Sequence, residues 1–308
     1  SRALSEQADE GTSLLALNGI TEFLYSEQVK METQGSSGQN CDSGITSSFI
    51  SIYIKDILRL QVSENDDIRL AALKSLEHIA RQGLYIPELI IPFVVTLESD
   101  PRQLIREKAH ALNMFYEAKH HALLVSNAAK GVMNAYSVLR RILKAGPDVS
   151  GIREVGISYF NDFYRTVHKF SKRERQSFLQ ALLRETFKAF DNKSNKDRLF
   201  TLRFLMETVA LLPYEKLFEV VKVISDISSY VDEHGEEKVG GLKGKIAQIS
   251  KSDDNDDDDD DMSDDDIDPL SSVSRLSLRD SAINAVGIYL MVQTKNYLME
   301  TYGISNRK

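Results

Sequence analysis

The stretches SENDDIRLAA (63–72) and DPRQLIREKA (100–109) decide the fold, because a shift of 37 residues lays one over the other role by role. Ser63 and Asp100 stand where N-caps are wanted. Pro101 suits the first helical position, where a missing N–H costs nothing, and Asp66 and Gln103 fall third, suited to completing the cap. Ile68-Arg69 then matches Ile105-Arg106, followed by Ala72 and Ala109. Upstream the register holds: Tyr53, Ile54, Ile57, Leu58 and Leu60 align with Ile90, Ile91, Val94, Val95 and Leu97, all apolar.

Each unit therefore reads as a helix, a tight turn and a second helix. A pair this short buries its apolar face only by stacking on another pair, so the pattern predicts an all-α protein, an α-solenoid of HEAT-like helix pairs. Arg69 and Arg106 recur at one place in the repeat. With Asp100 they are expected to tie adjacent repeats together through charge-assisted hydrogen bonds, direct ligand contact being the other reading.

The strict period fades after about residue 120, but helical texture continues. Helices are predicted over 121–143, closed by Gly146-Pro147, and over 156–168, 172–190, 196–212 and 214–231. METQGSSGQNCDSG (31–44) reads as a polar connector. Three regions result: helical repeats over 1–232, a flexible glycine-containing and Asp-rich insert over 233–268, and a long C-terminal helix over 269–308 that packs on the array. The insert is expected to be disordered.

Composition narrows the function. A single cysteine, Cys41, closes no intramolecular disulfide and makes no zinc site. The longest greasy run, LYIPELIIPFVVTL (84–97), is too short to cross a bilayer and carries Glu88 and two prolines, so no membrane association is expected. The net charge of −8 hides an asymmetry, because residues 253–268 hold 12 aspartates and the rest of the chain is +4. The chain opens on Ser1 and reads as a piece of something longer.

No catalytic constellation emerges, and no enzyme, cofactor or small-molecule substrate is expected. GGLKGK (240–245) has Val239 where a phosphate loop needs glycine and Ile246 where it needs Ser or Thr, so it reads as a hinge. The six histidines have no ligand partner at metal-binding spacing.

The helix from Lys172 places Arg173, Ser177, Gln180, Arg184 and Lys188 on one face, with Phe178, Leu179, Leu182, Leu183 and Phe190 opposite. Lys172 and Arg175 enlarge its basic end, and Lys193, Lys196 and Arg198 follow in the next connector. Such a stripe reads either as a solvated helix face or as a ridge that holds phosphates. Arg140, Arg141 and Lys144 form a weaker second patch. The aspartate run has three open readings: a solvated insert, a competitor for the basic ridge, or a lure for a basic partner. Ser263, followed by Asp264, Asp265 and Asp266, is a candidate for acid-directed phosphorylation.

HIARQGLYIPELIIPFVVTLESDPRQLIREKA (78–109) resembles the C-terminal HEAT-repeat region of the cohesin-loading adherin family, the Nipped-B-like proteins. Arg81-Gln82-Gly83, Pro87, Pro92, Leu97-Glu98, Asp100-Pro101 and Lys108-Ala109 fit its pattern, as do GVMNAYSV (131–138), KRERQSFLQALLRETF (172–187) and ALLPYEKLFEVV (210–221) with Pro213-Tyr214. The likeness covers most of residues 50–230 and the last helix. It implies a hook-shaped, nuclear, chromatin-associated protein that loads the cohesin complex, contacts its kleisin and ATPase heads, binds double-stranded DNA and stimulates cohesin's ATPase. It also implies a small TPR-type loader partner, bound through a segment absent from this chain. The other reading is a different HEAT adaptor, such as a nuclear transport receptor or a phosphatase scaffold.

Overall fold

The computed structural model describes residues 2–4, 8–34, 43–154, 156–253 and 269–305. The elements are helices α1 (Glu10–Gln34), α2 (Ser43–Leu60), α3 (Asp66–Arg81), α4 (Pro87–Leu97), α5 (Gln103–Lys119) and α6 (His121–Ile142), a ribbon of β1 (Ile152–Glu154) and β2 (Ile157–Ser158), then α7 (Asn161–Val167), α8 (Lys172–Asp191), α9 (Arg198–Ala210), α10 (Leu217–Asp253) and α11 (Pro269–Thr301). They form two compact units: Ser1–Leu182 with Leu211–Pro213, and Leu183–Ala210 with Tyr214–Lys308. No described helix is long and apolar enough to cross a membrane.

In the first unit most helices lean on the next but one, while α2 packs on α3. α3 packs on α1, α5 on α3 and α7 on α5, while α6 packs on α4. Of the ten aligned apolar residues all are buried except Tyr53, which is half-buried. α4 and α6 approach closely at Gly131, which has no room for a side chain: a Cβ there would lie 2.5 Å from Val95 Cβ and 2.7 Å from the Pro92 carbonyl oxygen. In the second unit α11 packs along α10 and against α9, and Gly287 of α11 seats the Phe190 ring.

Several boundaries differ from the sequence reading, each for a physical reason. The α3 N-cap is Asn65, whose Oδ1 accepts from the Asp67 and Ile68 amides at 2.9 and 3.3 Å, and α5 begins only at Gln103. Ser63 and Asp100 instead bend the turn two residues earlier, accepting from the Asn65 and Arg102 amides, and Pro101 lies in that turn rather than in the helix. Asp100 is drawn away from capping because Arg69 holds its carboxylate, Nε at 2.7 Å and Nη2 at 3.2 Å.

Residues 31–34 belong to α1, and Ser43 and Gly44 open α2, so only 35–42 of the supposed connector lie outside the described residues. α6 stops at Ile142, ahead of Gly146-Pro147, because Lys144 takes a left-handed turn at φ 49°. The Ala145 and Lys144 amides then satisfy the Arg140 and Arg141 carbonyls at 3.1 and 3.2 Å. The helix predicted over 156–168 starts late: Gly156, at φ 76°, makes the turn between β1 and β2, Ile157 and Ser158 form β2, and the helix α7 runs over Asn161–Val167.

The break expected at residue 233 is absent, and the GGLKGK segment is helix rather than hinge, for α10 continues to Asp253. Its glycines cost helix propensity, but Gly235 and Gly241 face Ile288 and Ser281 of α11, so packing against a neighbour supports what intrinsic preference does not. The acidic residues 254–268 and Ser263 lie outside the described residues.

Candidate functional site

α8 starts with a reciprocal cap: the Ser171 amide donates to Glu174 Oε2 at 2.8 Å, and the Glu174 amide donates to Ser171 Oγ at 3.3 Å. Hydrogen bonds from Ser171 hold the Glu174 carboxyl below its ordinary value of 4.5, with His121 at 3.2 Å assisting. A lowered carboxyl stabilises the fold above its unfolded pKa and loses that contribution as pH falls through its folded one. Amide protection at Ser171 should therefore be complete at neutral pH and decline below about pH 4. Glu174→Gln, which still caps, should remove that pH dependence; a dependence retained in Glu174→Gln would assign it to another group.

From this cap the helix turns its apolar side inward. Phe178, Leu179, Leu182, Leu183, Phe187 and Phe190 are buried. Lys172, Arg173, Ser177, Gln180, Arg184 and Lys188 are exposed on the other side, and Lys193 and Lys196 are exposed in the connector to α9. In the second unit Arg184 and Lys188 share one carboxylate, Glu185, at 3.5 and 3.8 Å, so cations outnumber the acid between them. Exposed ammonium and guanidinium groups suit a polyanion whose charges repeat along its length; the first unit offers Lys172 and Arg173, the second Arg184, Lys188, Lys193 and Lys196.

Two predicted members do not belong to it. Arg175 is half-buried, on the side of Leu179 and Leu182. Arg198 is 2% exposed: its guanidinium donates to the Phe190 carbonyl at 3.1 Å and to Asn284 Oδ1 at 2.8 Å, and pairs with Asp280 at 3.4 Å. It ties α8 and α9 to α11 and presents nothing to a ligand. The second patch is thinner than its letters suggest, since Arg140 is half-buried and Lys144, though exposed like Arg141, pairs with Glu64 at 3.0 Å.

The repeat arginines occupy two different settings. Arg69 grips Asp100 of the following repeat and donates Nη1 to the Ser63 and Glu64 carbonyls at 2.9 and 3.0 Å. Among the described residues Arg106 pairs with no carboxylate; it donates to the Asp100 and Pro101 carbonyls, both at 2.8 Å.

Sequence reasoning missed a polar cleft of about 410 Å³ lined by Glu98, Arg106, Glu107, His110, Arg153 and Arg165 among others. Burial pushes the Glu98 carboxyl up, opposed by His110 Nδ1 at 3.2 Å and Asn113 Nδ2 at 2.6 Å; the bond to Glu98 in turn raises the His110 imidazole. Among the described residues the cleft is lined by carboxylates, guanidinium groups, a glutamine and an imidazole. Its far wall comes to α5 from the β1–β2 ribbon, which the sequence did not show, and from α7, which lies within the helix predicted over 156–168. Among the described residues no three metal-ligating side chains converge.

Comparison with known proteins gives a consistent result. The Nipped-B sister chromatid cohesion C-terminus family matches residues 46–230. The chain is 22% identical to the Nipped-B-like protein scc-2 of Caenorhabditis elegans over 328 residues, covering 96% of this chain and 15% of the worm protein. It is 22% identical to the Nipped-B protein of Drosophila melanogaster over 310 residues, 93% of this chain and 14% of the fly protein. Among solved structures, the C-terminal fragment of the Chaetomium thermophilum cohesin loader SCC2 superposes with a TM-score of 0.65 at 18% identity, over 96% of this chain and 23% of that one. At that identity the superposition speaks to the fold alone.

Proposed function

Because the chain belongs to the Nipped-B sister chromatid cohesion family, whose C-terminal region matches residues 46–230, we propose that it is a non-enzymatic helical-repeat module of a nuclear, chromatin-bound cohesin loader. In this reading the basic face of α8 and its following connector takes the phosphates of double-stranded DNA. Other repeat surfaces engage cohesin at its kleisin and ATPase heads, and the ATP hydrolysed during loading is cohesin's own. The small TPR-type loader partner docks on a segment outside residues 1–308.

The observation that carries the DNA assignment is the exposed row Lys172, Arg173, Arg184, Lys188, Lys193 and Lys196 in a chain whose net charge is −8. Phosphate contacts of this kind give affinity without reading bases, and each neutralised phosphate adds about 0.9 to the salt slope. Arg173→Glu, Arg184→Glu and Lys188→Glu together should weaken duplex binding by more than about tenfold at 0.1 M salt, equally for unrelated sequences, and flatten the log–log salt slope by about 3. Loader-stimulated ATP hydrolysis by cohesin should fall with it. All three side chains are exposed, so the thermal unfolding midpoint should not move. Unchanged DNA affinity together with unchanged stimulation would remove the ridge from the mechanism.

A further inference from the structure

In the seam between α10 and α11 an ammonium is held by neutral oxygens. Lys245 Nζ donates to the Ser277 carbonyl at 2.7 Å, Ser277 Oγ at 2.5 Å and Ser281 Oγ at 2.7 Å. Three neutral oxygens thus occupy all three ammonium hydrogens. Among the described residues no carboxylate pairs with Lys245, and the sequence within one helical turn of it, Gly241 to Ile249, contains no acid. Lys243, Arg275 and Arg279 stand exposed on the same two helix segments. Asp280, the one acid beside them on α11, pairs with Arg198 at 3.4 Å. Among the described residues, the seam therefore gathers cations around two serine hydroxyls with no carboxylate paired to Lys245.

We propose that Ser277 is a phosphorylation site and that Lys245 is its built-in counter-charge. The transfer is the ordinary one. Ser277 Oγ bonds to the γ-phosphorus of ATP as the bond to the bridging oxygen of ADP breaks, the hydroxyl proton passes to the kinase's base, and ADP leaves. The phosphoryl group brings close to two negative charges and three acceptor oxygens to a place where an ammonium already sits at hydrogen-bond distance.

Ser277 is the acceptor rather than Ser281, because Ser281 is buried while Ser277 is half-exposed. Arg275, two residues ahead of it, is the cation that an acidic kinase groove reads. The neighbouring turn opens easily, since Arg275, Leu276, Arg279 and Asp280 are exposed and little apolar contact is lost when it frays. This context is opposite to that of Ser263, whose followers are acidic, so a different class of kinase is implied. The effect is also distinct from DNA binding: the phosphate clamps the last turns of α10 to α11.

The test uses the whole chain, ATP and the catalytic subunit of cyclic-AMP-dependent kinase as the Arg-directed probe, with sites mapped by tandem mass spectrometry. Phosphate is expected on Ser277 and is absent from Ser277→Ala. Amide exchange across residues 236–253 should slow by about fivefold on modification, and Lys245→Met should abolish the slowing without preventing the transfer. If a free peptide of residues 271–283 is modified and the chain is not, or if the phosphate lands on Ser281, the folded seam does not present the site. Slowing that persists in Lys245→Met would equally overturn the proposed pairing.

Discussion

Arg69→Ala should destabilise the first unit by about 3–5 kcal/mol, a loss large enough to be read directly from the urea midpoint. Arg69 is 2% exposed and its partner Asp100 carries a side chain with no exposure at all. Truncation would strand that carboxylate with little beyond the Arg102 amide, and would also orphan the Ser63 and Glu64 carbonyls that Nη1 now serves. Breaking a buried pair from one side costs far more than the pair itself contributes, because the remaining charge keeps its desolvation penalty. Arg69→Lys should recover only part of the loss, since an ammonium cannot span two carboxylate oxygens and two carbonyls at once. Arg106→Ala is the control: half-buried and bound to carbonyls, it should cost about 1 kcal/mol. Equal effects at the two arginines would mean that the repeat position, not the Asp100 grip, sets the cost.

The second large effect lies at Gly131. An alanine there would put its Cβ 2.5 Å from Val95 Cβ and 2.7 Å from the Pro92 carbonyl oxygen. Neither neighbour is the free end of a flexible side chain, so α4 and α6 must move apart, which also stretches the 2.8 Å bond from Thr96 Oγ1 to the Gly131 carbonyl. Overpacking of this kind costs about 3 kcal/mol, despite the better helix propensity of alanine. Gly235→Ala makes the comparison, because its added carbon would meet Val231 and Ile288 at ordinary distances of 3.4 and 3.8 Å. That variant should be neutral, or more stable by up to about 1 kcal/mol. A melting temperature for Gly131→Ala equal to that of the parent would show that the two helices are not locked at this crossing.

The helix pairs were legible because apolar spacing at the helical period records burial directly, as the ten aligned residues of α2 and α4 show. What escaped depended on partners distant in sequence. Asp100 is spelled like an N-cap, yet a guanidinium 31 residues earlier claims it. The glycines of α10 are spelled like breaks, yet α11 makes them contact points. The short ribbon at 152–158 offers too few residues for an alternating pattern to stand out. On the basic face Lys172, Arg173, Arg184, Lys188, Lys193 and Lys196 are exposed, whereas Arg198 is a joint. A signal for the difference was present: Arg198 lies at helical spacing from Leu202 and Leu205, both buried, and Arg175 stands in the same relation to Leu179 and Leu182. The Glu98–His110 couple had no such signal, because part of the far wall of its cleft comes from the ribbon.

The pairing of α10 with α11 runs in opposite senses along the chain. Gly235 meets Ile288, Gly241 meets Ser281 and Lys245 meets Ser277, each step outward on one helix matched by a step back on the other. Such a stem pairs the last turns of α10 with the first turns of α11. Closing a loop grows dearer only with the logarithm of its length, by about 0.6 kcal/mol per doubling. Lengthening or shortening the link between the two helices should therefore leave the stem's stability nearly untouched.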